Sequence, residues 1–475
     1  MKKILGIFLS IVFVNLSYGQ VGTWVRYMAL TDYNYPTNVF ELENGNLVIA
    51  GTCGNQFSNS DVMFFISDTT GNIIKQHIEF SENLEYVKQV IMTSDSGYFV
   101  TGLSNENNPL DYDGFCSKYD KNFNKLWTSY LGNPNHWDQT NSSIEIADGF
   151  IVTGYYSDTV YNNKNFFLAK LNLSGSIVWQ KSYNLGYDEE LVSIKKIDDN
   201  NFISCGNSTI GADSTTTLIV KSDGNGDTLW TRKDALTYYN FANDLVIDNS
   251  FIYITGECKN KEKDTTICLI EKYDLIGNRL WINPEFRNFS GNSIIYNQNN
   301  ELVIFGNYYS ESGDIECLFL KLNNGGWFIG SNTGGGEDIQ NGLDIIPRKN
   351  LYGYIALGQD FHGYAGIHGI ELFKTESNLY FDFNDLDTIL DIQERIQQIE
   401  AKFIPNPSNG NLLIIRNNNK SPIENLIIYN NLGLIEYYQK KIMENTINLN
   451  LKNGLYIIEY TQKNKRNFEK MIIEN

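Results

Sequence analysis

The chain has 475 residues, 42% of them hydrophobic and 20% charged, a length for two or three domains with ample apolar material for a core. Its 37 basic and 56 acidic residues leave a net charge of −19, which argues against a nucleic-acid interface built on a basic patch. Four histidines argue against a histidine-rich metal centre, while 39 glycines, 30 tyrosines and 27 phenylalanines favour short strands over a coiled coil or collagen.

At the N-terminus, Lys2 and Lys3 precede an apolar run from Ile4 to Val14, followed by Ser17, Tyr18 and Gly19. A basic start, a short hydrophobic stretch and small residues predict a secretory signal peptide over 1–19, cleaved after Gly19. The run is short of the roughly 20 apolar residues that a membrane-spanning helix needs. No later transmembrane segment is expected.

Residues 20–375 repeat. A turn, an apolar strand and a closing glycine recur at Gly51, Gly102, Gly154, Gly206, Gly256, Gly306 and Gly358, at steps of 51, 52, 52, 50, 50 and 52. Downstream of each glycine comes a second apolar strand that mostly ends in Asp or Asn, then a glycine-containing turn and a strand often marked by Trp. Asp120 with Trp127, Asp223 with Trp230 and Asp274 with Trp281 keep one seven-residue step. Units of this length with four strands predict an all-β chain built on a seven-bladed β-propeller. The seventh copy stops near Thr375 without a Trp strand. Thr23 to Tyr27 supplies a spare one, with Trp24 lying 51 residues before Lys75, where the first copy's Trp would fall. The N-terminal strand is therefore expected to close the last blade and leave no exposed edge.

Ring geometry selects the candidate sites. Thirteen residues before the closing glycines stand Asn38, Gln89, Asn141, Ser193, Asn243 and Ser293, with Asp344 one place displaced. These polar residues are expected to line an axial channel. Just upstream, Tyr35, Tyr86, Trp137, Glu189, Tyr239 and Phe289 are brought to one face, where aromatics mixed with acids suit a glycan or a peptide.

Chemistry is harder to place. His77, His136, His362 and His368 show no metal spacing, and Asp111 to Gly114 resembles the start of a calcium loop without its downstream glutamate. No Gly-x-Ser-x-Gly or phosphate loop is present, and no pair of carboxylates stands out as acid and base. Neither a metal nor a cofactor is expected. The six cysteines fit an oxidising destination, and Cys258 with Cys268 is the one local pair worth testing. A binding module is the leading reading, and a polysaccharide-acting hydrolase or lyase on the same scaffold is the alternative.

Residues 376–400 hold seven acids and one base, with Ile389, Ile392, Ile396 and Ile399 at helical spacing, predicting an acidic linker with a short amphipathic helix. From Ala401 onward the balance reverses, with ten basic and six acidic residues. Period-two apolar runs separated by Asn-rich turns predict a small antiparallel β-sandwich over 401–475. The tail opens on Pro405-Asn406-Pro407-Ser408-Asn409-Gly410. Ile428-Tyr429-Asn430 with Gly433 follows, then Gly454-Leu455-Tyr456, and it ends on Lys470-Met471-Ile472-Ile473. In that order it resembles the type A C-terminal sorting domain of the type IX secretion system. The resemblance implies export across the outer membrane and removal of the tail by a sortase-like peptidase. It also implies release, or attachment to surface lipopolysaccharide.

Overall fold

The computed structural model describes residues 23–379 and 401–473, apart from several loops and tail turns, among them 29–32, 55–59, 107–111, 133–135, 210–213, 235–238, 335–338 and 363–366. The expected signal peptide and linker helix lie outside the described residues. Two compact bodies divide between Leu386 and Asp387.

The larger body is a series of antiparallel four-stranded repeats. Repeat 1 comprises Tyr33–Glu41, Leu47–Gly54, Ser60–Ser67 and Ile73–Glu79, and repeat 2 Glu85–Met92, Tyr98–Ser104, Asp113–Tyr119 and Lys125–Leu131. Repeats 3 to 6 start at Gln139, Asp188, Tyr239 and Phe289, and each is a separate four-stranded sheet in sequence order. Repeat 7 has three consecutive strands, Ile339–Pro347, Tyr354–His362 and Ile367–Lys374, and takes Trp24–Met28 as its fourth. A single bridge, Tyr33 to His368, joins repeats 7 and 1 into one eight-stranded sheet.

The glycine period has a steric cause. Every first strand is bulged at one register, between Pro36 and Asn38, Val87 and Gln89, Thr140 and Ser142, Leu191 and Ser193, Ala242 and Asp244, Gly291 and Ser293, and Gly342 and Asp344. A bulge turns the local backbone out of the ladder. Here it brings the carbonyl of Tyr35, Tyr86, Gln139, Glu190, Phe241 or Ser290 to within 1.9–2.3 Å of where a β-carbon would sit on the closing glycine opposite. Only glycine fits beneath it.

A second fixed element is the turn between third and fourth strands. Asp68, Asp120, Asn172, Asp223, Asp274 and Asn323 each accept, through one side-chain oxygen, backbone N–H groups two and four residues on. Lys118, Lys170, Lys221, Lys272, Lys321 and Lys374 precede the turn at one shared register. Four of them reach the following repeat's turn: Lys221 to the Leu275 carbonyl (3.4 Å), Lys272 to Asn324 (3.1 Å), Lys321 to Ser377 (2.9 Å) and Lys374 to Thr69 (3.0 Å).

Trp residues of the fourth strands pack between repeats. Trp127, Trp179, Trp230 and Trp281 lie against Gly175, Gly226, Gly277 and Gly326 of the next repeat, and Trp24 lies against Gly71 of repeat 1 in the same way. Trp24 sits opposite Lys374, as Trp281 sits opposite Lys272, so the N-terminal strand occupies a true fourth-strand register. Two repeats break the pattern and compensate. Lys75 stands where repeat 1 would have Trp, and its partner turn carries Phe123, fully buried, with the Lys75 ammonium 4.9 Å over the ring. Gly330 stands in that place in repeat 6, and the partner turn carries buried Leu379.

All six thiols are free and buried. Cys258 lies opposite Ile267 and Cys268 opposite Glu257, so the two point to opposite faces and the expected local pair is not a disulfide. In the smaller body, a three-stranded sheet (Ala401–Ile404, Asn411–Arg416, Thr446–Asn448) accompanies a four-stranded one (Ile435–Ile442, Ile423–Asn430, Gly454–Gln462, Lys465–Ile473). Ile447 from the first and Ile428, Ile442 and Ile458 from the second share one apolar cluster. Of the sorting motif, Pro405, Asn406, Pro407, Gly410 and Gly433 lie outside the described residues. Gly454 is paired with Ile473, Lys470 with Ile457, and buried Tyr456 donates its hydroxyl to the Lys452 carbonyl at 2.9 Å.

One core contact is polar. Glu371, fully buried in repeat 7, has neither carboxylate oxygen hydrogen-bonded among the described residues, and buried Asp360 stands nearby on the adjacent strand. Burial, reinforced by the Asp360 charge, holds the Glu371 carboxyl well above its ordinary value of 4.5.

Two outcomes follow from this packing. Gly206→Ala places a methyl 2.0 Å from the Glu190 carbonyl and is expected to cost about 3 kcal/mol in denaturant melts. Gly330→Ala, with nothing within 4 Å of its β-carbon, should cost less than about 0.5 kcal/mol. For Glu371, a raised folded-state pKa means that the native state keeps a proton the unfolded chain has lost. Stability is then full below pH 4.5 and falls as pH rises toward the folded value, by up to about 1.4 kcal/mol per pH unit. Glu371→Gln should flatten that fall when melting temperature is followed between pH 5 and 8; an unchanged slope would show that Glu371 does not hold its proton in the native state.

Candidate binding face

The bulged first strands position the polar residues. Pairing with the residue before each closing glycine, the register-equivalent set is Asn38, Gln89, Ser142, Ser193, Asp244, Ser293 and Asp344. Counting back from the glycine shifts by one in repeats 3 and 5, so Asn141 and Asn243 are the extra residues of their bulges. These side chains link each repeat to the next. Asn38 Oδ1 accepts the Val90 N–H (2.8 Å), Gln89 Oε1 that of Ser143 (2.7 Å) and Ser142 Oγ that of Ile194 (3.2 Å). Asp244 Oδ2 accepts the Ile294 N–H (3.2 Å), and Asp344 Oδ2 that of Val39 (3.0 Å), across 305 residues. Ser193 donates to Asp244 at 2.8 Å, Ser293 to Asp344 at 3.4 Å and Asn38 to Asp344 at 3.1 Å. Burial raises the Asp344 carboxyl, while the Val39 N–H and Asn38 pull the other way.

One step toward the strand starts, the row opposite the residue after each closing glycine reads Tyr35, Tyr86, Gln139, Glu190, Phe241, Ser290 and Asn341. Around it lie two groups of ring contacts. His368 touches Phe361 (4.6 Å between centroids), Tyr33 (4.7 Å) and Tyr35 (5.2 Å), and Tyr33 stacks on Tyr35 at 6.3 Å. Tyr112 contacts Tyr86 at 6.5 Å and Trp137 at 5.2 Å, edge to face. Tyr35 and Trp137 are each 38% exposed. Burial and the neighbouring Tyr33 and Tyr86 raise the Tyr35 hydroxyl. Two groups of rings with hydroxyl edges thus stand here, one at repeats 7 and 1 and one at repeat 2 and the entry of repeat 3.

Not every expected face residue is there. Phe289 is 1% exposed and belongs to the apolar core between repeats 5 and 6, because its register puts it one place earlier than Tyr35 and Tyr86. Glu189, on that same earlier register, is completely buried. Its carboxylate pairs with Lys233 at 3.1 Å and accepts the N–H groups of Leu185 and Tyr187 at 3.2 Å. Its role is structural. Tyr239 is half-buried and stacks on Phe241 at 6.4 Å. Tyr33, Tyr112, Phe361, His368 and Phe241 were missed, since they stand off the counted position; counting sixteen back from the glycine finds Glu190, whereas Phe241 stands fifteen back.

Among the described residues no group of three or more His, Cys, Asp or Glu could hold a metal ion. A depression of about 430 Å³ lies at the opposite, hairpin-turn end, lined by Lys196, Asp248 and Tyr296 among others, and none of the expected site residues borders it. Among the described residues no helix is long and apolar enough to cross a membrane.

Residues 402–474 match the family model described as the secretion system C-terminal sorting domain. The chain therefore carries a type IX sorting domain, which implies handling by the secretion machinery, export and surface attachment. A protein of Acanthamoeba polyphaga mimivirus named as a serine/threonine-protein kinase is 24% identical over 184 residues, 37% of this chain and 27% of that protein. The chain thus spans about a quarter of that relative's length. Among solved structures, Raptor of Chaetomium thermophilum aligns with a TM-score of 0.47 at 8% identity, over 75% of this chain and 29% of that one. The β-propeller domain of the Trilobed protease of Pyrococcus furiosus aligns at 0.44 and 9% identity, over 78% and 98%. The acylaminoacyl peptidase of Pyrococcus horikoshii aligns at 0.42 and 10%, over 82% and 59%.

The burial of Glu189 separates structure from binding. Glu189→Ala leaves the Lys233 ammonium and two backbone N–H groups without their acceptor, and is expected to destabilise the fold by roughly 3 kcal/mol in chemical denaturation. A loss below about 1 kcal/mol would return Glu189 to the list of surface residues.

Proposed function

We propose that the seven repeats close into a seven-bladed β-propeller around a polar channel, sealed by the Trp24–Met28 strand, and that the exported protein is a glycan-binding module of the cell surface. Residues 1–19 serve as the signal peptide, and 401–475 as a sandwich that hands the chain to the type IX machinery and its sortase-like peptidase. The hydrogen bonds that Asp344 accepts from Val39 and Asn38, first strand to first strand, support closure. The observation that carries the binding role is the two groups of ring contacts that include exposed Tyr35 and exposed Trp137, on the face where the seven first strands begin. Pyranose rings present axial C–H groups to such surfaces, and the hydroxyl edges of Tyr33, Tyr86 and Tyr112 supply hydrogen bonds.

A glycan array probed with the full chain, with turnover of the same polymers measured in parallel, tests this. Binding without turnover is expected, and Trp137→Ala or Tyr86→Ala should each weaken it roughly tenfold. Undiminished binding by both variants would remove the aromatic face from the account, and turnover abolished by one carboxylate substitution would make the protein an enzyme.

A further inference from the structure

The extra residue of each bulge projects from the ladder, and in three repeats it has a structural task. Asn141, Asn243 and Asn292 donate to the carbonyls of Leu191 (2.8 Å), Gly291 (3.0 Å) and Gly342 (2.7 Å) in the following repeat. In repeats 1, 4 and 7 the residue is Thr37, Val192 or Leu343. Repeat 2 alone carries a charge there, Lys88.

Lys88 makes no hydrogen bond or ion pair among the described residues. Its charged neighbours are Glu190 of repeat 4 and Lys164 of repeat 3. Glu190 is already engaged: one oxygen accepts from Lys164 Nζ at 2.8 Å and the other from Asn207 at 3.4 Å. Lys164 also sits 4.1 Å over the Tyr155 ring, and its backbone N–H donates to Asp188 at 3.0 Å. Lys164 and the carboxylates of Glu190 and Asp188 thus engage one another, and Lys88 is left without a bonded counter-charge. Lys88 is exposed, and desolvation by the groups around it draws its ammonium below the usual lysine range. An ammonium with no bonded partner is available to an anion, and a charge-assisted hydrogen bond to it is strong. Tyr86 and Glu190 belong to the row opposite the residue after each closing glycine, the mouth row, and Lys88 lies two residues beyond Tyr86, so the cation stands at the inner edge of the aromatic residues.

We propose that Lys88, assisted by Lys164, forms an anion subsite at this mouth, and that the bound glycan presents an acidic sugar there while its neutral rings lie on Tyr86, Tyr35 and Trp137. The inference rests on reading the aromatic face as a glycan site. A chain of −19 repels polyanions at long range, so the fitting ligand carries its charge on one terminal sugar. Carboxylate and sulfate ester share the required chemistry.

The test compares the full chain on three sets of oligosaccharides of one backbone: neutral, ending in a uronic acid, and ending in a sulfated sugar, with carboxyl-reduced uronic acid as the matched control. The acid-terminated set should bind roughly tenfold or more tightly than its reduced control, the gain fading with added salt. Lys88→Met should erase that preference and leave neutral binding and the melting temperature unchanged, while Lys88→Arg keeps it. Neutral glycans bound as well as acidic ones, or a preference that survives Lys88→Met, overturns the subsite and leaves the glycan reading standing. Binding to no glycan overturns both. A preference for the sulfated set over the uronic set retains the subsite and names its anion.

Discussion

The structure depends on a backbone irregularity repeated seven times. Each first strand bulges beside its closing glycine, and the bulge disturbs the ladder so that a backbone N–H just beyond it looks for an acceptor outside its own sheet. In five of the seven repeats that acceptor is a side chain of the preceding repeat, through Asn38, Gln89, Ser142, Asp244 and Asp344. A repeat therefore cannot satisfy its own polar groups, and a row of such repeats stays unsatisfied at one end unless it returns on itself. Asp344 performs that return, holding Val39 and Asn38 of the first repeat. The N-terminal strand adds its own closure in the last sheet, where the register of Trp24 opposite Lys374 reproduces that of a chain-consecutive fourth strand.

The outer contacts follow a different rule, in which volume is kept and identity is exchanged. A Trp on one repeat meets a glycine on the next, and the positive φ of that glycine suits the turn as well as the space. Where the large residue is missing from the strand it appears on the turn. Phe123 at φ 72° answers Lys75, and Leu379 at φ 70° answers Gly330. A bulky side chain held at positive φ is strained, and the filled interface between repeats offsets the strain. Leu379 also shows that the last repeat runs past Thr375 into a turn formed by Glu376 to Leu379, since the Leu379 N–H closes onto the Glu376 carbonyl at 3.0 Å.

This explains which features were legible in the sequence. The closing glycines were visible because in six of the seven repeats a carbonyl less than 2.5 Å from the would-be β-carbon tolerates no other residue, and the Trp strands because aromatic volume is conspicuous. The displaced first strand followed from both. The polar row was found in five repeats and missed by one residue at Asn141 and Asn243, because the spacing between bulge and glycine varies by a residue and nothing local marks it. Glu189 and Phe289 went to the surface on paper and to the interior in fact because they stand seventeen residues before their glycines, one register earlier than Tyr35 and Tyr86 at sixteen. The lysine two residues before each turn acid stood in plain view in six repeats. In four of them its meaning is tertiary, a carbonyl in the neighbouring repeat, and period alone cannot reveal that.

The rows differ in how freely they vary, and that difference locates function. The closing glycine, the turn acid and the bonded polar row recur because each answers a steric or hydrogen-bonding demand that every repeat makes. The mouth row answers no such demand and reads Tyr35, Tyr86, Gln139, Glu190, Phe241, Ser290 and Asn341, a different surface from each repeat. Two of its three aromatics, Tyr35 and Tyr86, gather with Tyr33, Tyr112, Trp137, Phe361 and His368 where repeats 7, 1, 2 and 3 succeed one another, while Phe241 stands apart with Tyr239 in repeat 5. A scaffold under no other pressure would spread small polar residues around a solvated opening, as repeats 6 and 7 do with Ser290 and Asn341. Exposed rings in water raise the free energy of the unliganded protein, as does an ammonium held among protein groups with its counter-charge already committed. Both penalties fall on one side of one face, and a ligand that covers the rings and meets the cation would relieve them together.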